Sequence, residues 1–146
     1  MAKISYSWSK VKKGDIISFR YPTKEGRIFR RTILVLEPKL RNKAKNPNSD
    51  FLLHGIQLEV SNRPITNQIK EILQKAGKVK IVDEEANVYR VVITDKTQQT
   101  YNKLKTFIKK IGNFRTYNYQ KVTRSQVFLE DLRLPNDFVE ELLKWD

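Results

Sequence analysis

Two patterns of apolar and polar positions alternate along the chain: short runs rich in β-branched and aromatic residues, and longer stretches with apolar side chains every three or four places. The first suits an extended strand, whose side chains point to alternate faces, and the second suits one face of a helix. After the turn Lys12-Lys13-Gly14-Asp15, the run Ile16-Ile17-Ser18-Phe19-Arg20-Tyr21 predicts a strand. The turn cluster Pro22 to Gly26 follows, and Arg27 to Leu36 predicts a second strand that ends in Ile33-Leu34-Val35-Leu36. Together they predict a β-hairpin. Residues 38–50, rich in Pro, Asn and Lys, predict an exposed basic loop, and Phe51 to Val60 resumes as a strand.

Ser61-Asn62 before Arg63-Pro64 places a capping residue and an early proline at a helix start, with Ile65, Ile69, Ile72 and Leu73 at helical spacing and Gly77 as its stop. Lys78 to Val82 and Val88 to Thr94 predict a second hairpin around the polar turn at 83–87. Asp95 and Thr97 are candidate caps for the next helix, where Tyr101, Leu104, Ile108 and Ile111 form one stripe and Gly112 ends it. Phe114 to Tyr119 and Val127 to Leu129 predict strands separated by the basic stretch at 120–126. Pro135-Asn136-Asp137 opens an acidic C-terminal helix over 136–146, with Phe138, Leu142 and Trp145 facing inward. Grouped strands with helices interposed, lacking regular βαβ alternation, predict an α+β fold. The expected architecture is a small curved antiparallel sheet with two interposed helices and a C-terminal helix, in a single domain spanning residues 1–146.

The segment Lys13-Gly14-Asp15-Ile16-Ile17-Ser18-Phe19, a loop, and Arg30-Arg31-Thr32-Ile33-Leu34-Val35-Leu36 resembles the opening hairpin of SH3-like small barrels. Among these it looks most like the toxin ribonucleases of the PemK and MazF type, and the likeness covers about a quarter of the chain. The toxins' next block, a Pro-Ile-Thr-like stretch, has no clean match at Phe51 to Ile56. The resemblance implies a closed SH3-like barrel and cleavage of RNA, with Arg27, Arg30 and Arg31 stabilising a phosphate through paired guanidinium hydrogen bonds. Leu53-His54-Gly55-Ile56 and Phe114-Arg115-Thr116-Tyr117 resemble pieces of the short, lysine- and asparagine-rich proteins of tailed bacteriophages, which implies a viral source.

Charge changes the picture most. The chain of 146 residues carries a net +13, and its distribution is uneven. Residues 1–45 hold 13 Lys and Arg against 3 Asp and Glu, residues 46–100 are neutral, and residues 101–128 hold 7 basic groups and no acid. Residues 129–146 reverse the sign, with 2 basic groups against 6 acidic ones. Segregated charge creates a local potential that attracts polyanions, whereas a merely solvated lysine surface would not steer a ligand. No apolar run reaches the roughly 18 residues that span a bilayer, the N-terminus lacks a signal-peptide core, and there is no cysteine. A cytoplasmic setting is expected, in a host cell or in a virion assembled there, with no membrane partner.

Catalytic chemistry finds little footing. His54 is the sole histidine and a possible general base, but a base needs a partner within reach, so a structural role is the simpler reading. Asp83-Glu84-Glu85 sits in a predicted turn, where solvated carboxylates are expected rather than a converging cation site. Asp50 and Glu59 flank the third strand without the lysine of a restriction-type nuclease. Motifs for NTP hydrolysis, esterase or zinc-protease chemistry are absent, so no catalytic residue, metal or cofactor is expected.

Binding is better supported, because cations interleaved with aromatic rings grip a sugar-phosphate backbone and stack on unpaired bases. The expected nucleic-acid contacts are Lys12, Lys13, Arg20, Arg27, Arg30 and Arg31 in the first block, and Arg41, Lys43 and Lys45 in the loop. Lys105, Lys109, Arg115, Tyr117, Lys121 and Arg124 supply the second block. The expected function is binding of DNA or RNA through the phosphate backbone. The alternatives are a phage structural or assembly protein that self-associates or docks an acidic partner, and a toxin-like ribonuclease.

Overall fold

The computed structural model describes residues 4–22, 25–41, 51–60, 63–75, 79–83, 88–93 and 98–144. Strands β1 (Ile4–Tyr6), β2 (Asp15–Pro22), β3 (Ile28–Arg41) and β4 (Phe51–Gln57) precede a small β5 (Glu59–Val60) and β6 (Arg63–Pro64) pair. Helix α1 (Thr66–Lys75) leads to the hairpin β7 (Val79–Asp83) and β8 (Val88–Ile93), and then α2 (Gln98–Ile111). Strand β9 (Asn113–Asn118), a short α3 (Tyr119–Val122), β10 (Val127–Arg133) and α4 (Asn136–Leu143) complete the described chain.

Eight strands form one sheet in the order β7-β8-β10-β2-β3-β4-β9, with β1 also paired to β10. All its pairings are antiparallel except β10 with β8. The fold is therefore α+β with a mostly antiparallel sheet, as expected. It is not closed: β10 hands the sheet on to β8 and β7, and β7 and β9 remain as separate edges. The expected SH3-like barrel is not formed. Register shifts at Glu37 in β3 mark bulges, which bend and twist a strand.

Strand alternation divides the interior into two cores. Ile16, Leu34, Leu36, Ile56 and Leu132 face a layer made by α1, α2 and α4, whose Ile69, Leu104, Ile108, Phe138 and Leu142 are buried against them. Ile17, Phe19, Ile33, Val35, Leu53 and Leu129 point the other way and pack with Val11, Tyr117, Val122 and Val127. This explains the uninterrupted run Ile33 to Leu36: β3 is central and covered on both faces, so polar alternation is not required of it.

The turn before β2 is held by Asp15, which is 1% exposed and accepts from the Lys12 backbone N–H at 2.9 Å. Gly14 adopts φ +93°, a left-handed conformation that glycine alone takes freely, and its carbonyl accepts from Leu134 while its N–H donates to Val35. The Gly14-Asp15 pair that carries the barrel resemblance thus locks three strands' ends together.

Several boundaries differ from expectation: β10 runs to Arg133 and not Leu129, the strand expected to reach Val60 breaks after Gln57, and three further differences have a visible cause. Strand β3 runs on through residues 38–41 rather than yielding to a loop at Pro38, since the proline falls between the register shifts at Glu37 and Leu40, where no ladder hydrogen bond is lost. The rest of that predicted loop, residues 42–50, lies outside the described residues. Helix α1 starts at Thr66 and not at Ser61, because Pro64 holds Arg63 extended and both pair with Glu59–Val60. The basic stretch at 120–126 contains a helical turn, α3, capped by the Asn118 side chain, which accepts from the Lys121 N–H at 3.1 Å. Ser61, Asn62, Gly77, Asp95, Thr97 and Trp145 lie outside the described residues.

Candidate nucleic-acid interface

On the face opposite the helical layer, β2, β3, β4, β9 and α3 surround a cleft of about 550 Å³ lined by Tyr21, Arg31, Gln57, Arg115, Tyr117 and Lys121, with Pro22 and Thr116 at its sides. Strand alternation brings these groups together. Arg31 lies across from Phe19, Arg115 from Gly55 and Tyr117 from Leu53, so all share the face of the second core. Gly55 has a packing reason of its own, since a Cβ there would lie 2.8 Å from the Ile33 side chain and from the Leu34 carbonyl oxygen.

Arg31 is anchored from behind. It donates to the Glu59 carboxylate at 3.2 Å and stacks its guanidinium over the Phe29 ring at 5.2 Å. The Glu59 side chain is 2% exposed and also accepts from Gln57 at 3.1 Å and from the Thr32 backbone N–H. This carboxylate is committed to structure and is not available as a catalytic base. Arg115 and Lys121 are exposed and form no ion pair among the described residues.

Tyr117 is 6% exposed and packs edge-on against Phe19 and Tyr21 at centroid separations of 5.4 and 5.0 Å. Its ring is a core element, not a platform for stacking bases. Its hydroxyl is buried without a hydrogen-bond partner among the described residues. Burial pushes the phenol up to about 12, opposed by the Arg31 charge and reinforced by Glu59.

A second groove of about 300 Å³ adjoins the cleft and shares Pro22 and Lys121 with it. Arg20, Ile28, Arg124 and Ser125 line the remainder. It runs beside the part of β2 beyond Ser18, where no residue of β10 is paired to it. Ile28 pairs with Pro22 at the end of the hairpin and is 65% exposed.

Of the expected contact residues other than Tyr117, Arg31, Arg115 and Lys121 line the cleft, and Lys121 also lines the groove with Arg20 and Arg124; Arg20 pairs with Arg30 and leaves β2 on the face opposite Arg31. The others are dispersed. Arg30, next to Arg31, points to the opposite face and covers the Phe128 ring at 5.4 Å, so the two arginines do not form one phosphate clamp. Arg27 is exposed beside Gly26, and Lys12 is exposed in the Gly14 turn. Lys13 pairs with Glu140, and Lys105 pairs with Glu141 at 3.6 Å, so carboxylates of the acidic helix α4 offset them. Lys109 lines a groove along α2, on the helical layer. The Arg41 side chain, Lys43 and Lys45 lie outside the described residues.

The reading of single residues missed Gln57 and Ile28, and weighed Glu59 only as a catalytic carboxylate, not as the partner of Arg31. Of these, Ile28 carried a signal, being the first apolar residue after the Gly26 turn. His54 is half-buried on the other side of the sheet, across from Glu37 and 6.2 Å from the Phe114 ring. Among the described residues no three His, Asp or Glu side chains group to hold a metal, and no helix is long and apolar enough to cross a membrane. No protein-family model matches the chain, and comparison with curated proteins and solved structures gives no match.

Proposed function

We propose that the protein binds nucleic acid by gripping the sugar-phosphate backbone along the Arg20, Arg31, Arg115, Lys121 and Arg124 surface. One observation carries the reading: cations distant in sequence meet around a cleft that no carboxylate lines among the described residues, with Glu59 held behind Arg31. Guanidinium groups suit phosphate oxygens, and a fixed Arg31 loses little side-chain freedom on binding. Phosphate contacts of this kind position a ligand without reading its bases.

A titration of the full chain against single- and double-stranded DNA and RNA at several salt concentrations tests it. The logarithm of affinity is expected to fall linearly with the logarithm of salt concentration, with a slope near the number of phosphates neutralised. Affinity that ignores salt would refute the proposal. The assembly alternative gains less from the geometry, because Glu140 and Glu141 of α4 are engaged with Lys13 and Lys105 of the same chain.

A further inference from the structure

We infer that the cleft and the adjoining groove together hold one unpaired nucleotide of a single strand, its phosphate among Arg31, Arg115 and Lys121 and its base on the Ile28–Pro22 floor. The inference rests on the nucleic-acid-binding reading and narrows it to a strand conformation.

The two cavities differ in chemistry. The cleft presents charge and amide groups, whereas the floor of the groove is Pro22 and the exposed Ile28, bordered by Arg20, Lys121 and Arg124. Lys121 and Pro22 line both, so the cavities are neighbours, and a ligand reaching from Arg31 to the Pro22–Ile28 pair passes round the end of the β2–β3 hairpin. A flat, weakly polar body with an anion beside it is the repeating unit of a polynucleotide. Its face is free for apolar contact only when the base is unstacked, which a duplex does not offer. Arg20 and Arg124 also line the groove and offer charge to a neighbouring phosphate of the same strand.

Fluorescence anisotropy on the full chain decides the matter, using a short oligothymidine, an abasic strand of equal length and a duplex of equal length. The native chain is expected to bind oligothymidine roughly tenfold more tightly than the abasic strand, the size of effect that burying one apolar contact produces. Ile28→Ser is expected to abolish that preference while leaving abasic binding unchanged, and Ile28→Leu to keep it. Ile28 is largely exposed, so these variants fold. Arg115→Ala is expected to weaken all three ligands. Equal affinity of the native chain for base-bearing and abasic strands would overturn the inference and leave backbone gripping intact, whereas failure to bind any of the three would overturn both.

Discussion

Arg31 and Glu59 form a part-buried ion pair at 3.2 Å in which the carboxylate, not the guanidinium, is the shielded partner. Its side chain is 2% exposed against 20% for Arg31, and it also serves the Thr32 N–H and Gln57. Removing the carboxylate strands the Thr32 backbone donor and takes from Arg31 its Glu59 partner. Glu59→Ala is therefore expected to destabilise the fold by about 2–4 kcal/mol, measured by urea denaturation. A loss below about 0.5 kcal/mol would mean that Arg31 and Thr32 find other acceptors.

Gly14 and Gly26, both left-handed, should respond differently to one methyl group. At Gly14 a Cβ would lie 2.1 Å from the Leu134 carbonyl oxygen, an impossible contact with backbone, whereas at Gly26 it meets nothing within 4 Å. Gly26→Ala is expected to cost only the conformational penalty, about 1–2 kcal/mol. Gly14→Ala is expected to cost at least twice that or to prevent folding. Paired denaturation curves check the order, and equal losses would contradict the tight turn.

Alkaline pH should weaken the fold through its buried phenols. Tyr101 and Tyr117 are both raised from 10.0, mainly by burial, with a hydrogen bond to Asp137 adding to the effect at Tyr101. The folded chain thus holds these protons more tightly than the unfolded one. Their contribution is complete below pH 10 and is lost as the pH rises through the folded values, about 12 for Tyr117. Stability measured by denaturation from pH 8 to 12 should fall above pH 10, and less steeply in Tyr117→Phe. At neutral pH that variant should gain about 1 kcal/mol, because it deletes a buried hydroxyl that lacks a partner.

Cations of equal formal charge should contribute unequally to polyanion binding. Arg115→Ala and Lys121→Ala are each expected to reduce the salt slope by about 1, since each removes one phosphate contact. Lys13→Ala and Lys105→Ala remove lysines already paired with Glu140 and Glu141 and should leave the slope nearly unchanged. Equal effects from all four would point to diffuse attraction by net charge instead of a site.

The hydrophobic pattern determined the α+β class, the first hairpin and the α1, α2 and α4 stripes, and the order of charged residues determined the two basic blocks, because periods and charge runs are local properties of neighbouring residues. Strand alternation also held, unread, the separation of Arg30 from Arg31. Only the tertiary structure decided that the sheet stays open, that Tyr117 is core and Ile28 is surface, and that α4 offsets Lys13 and Lys105. It alone brought Arg31 beside Arg115 and Lys121. Those outcomes depend on which strand lies next to which and on what covers each face, and such long-range pairings leave no periodic mark along the chain.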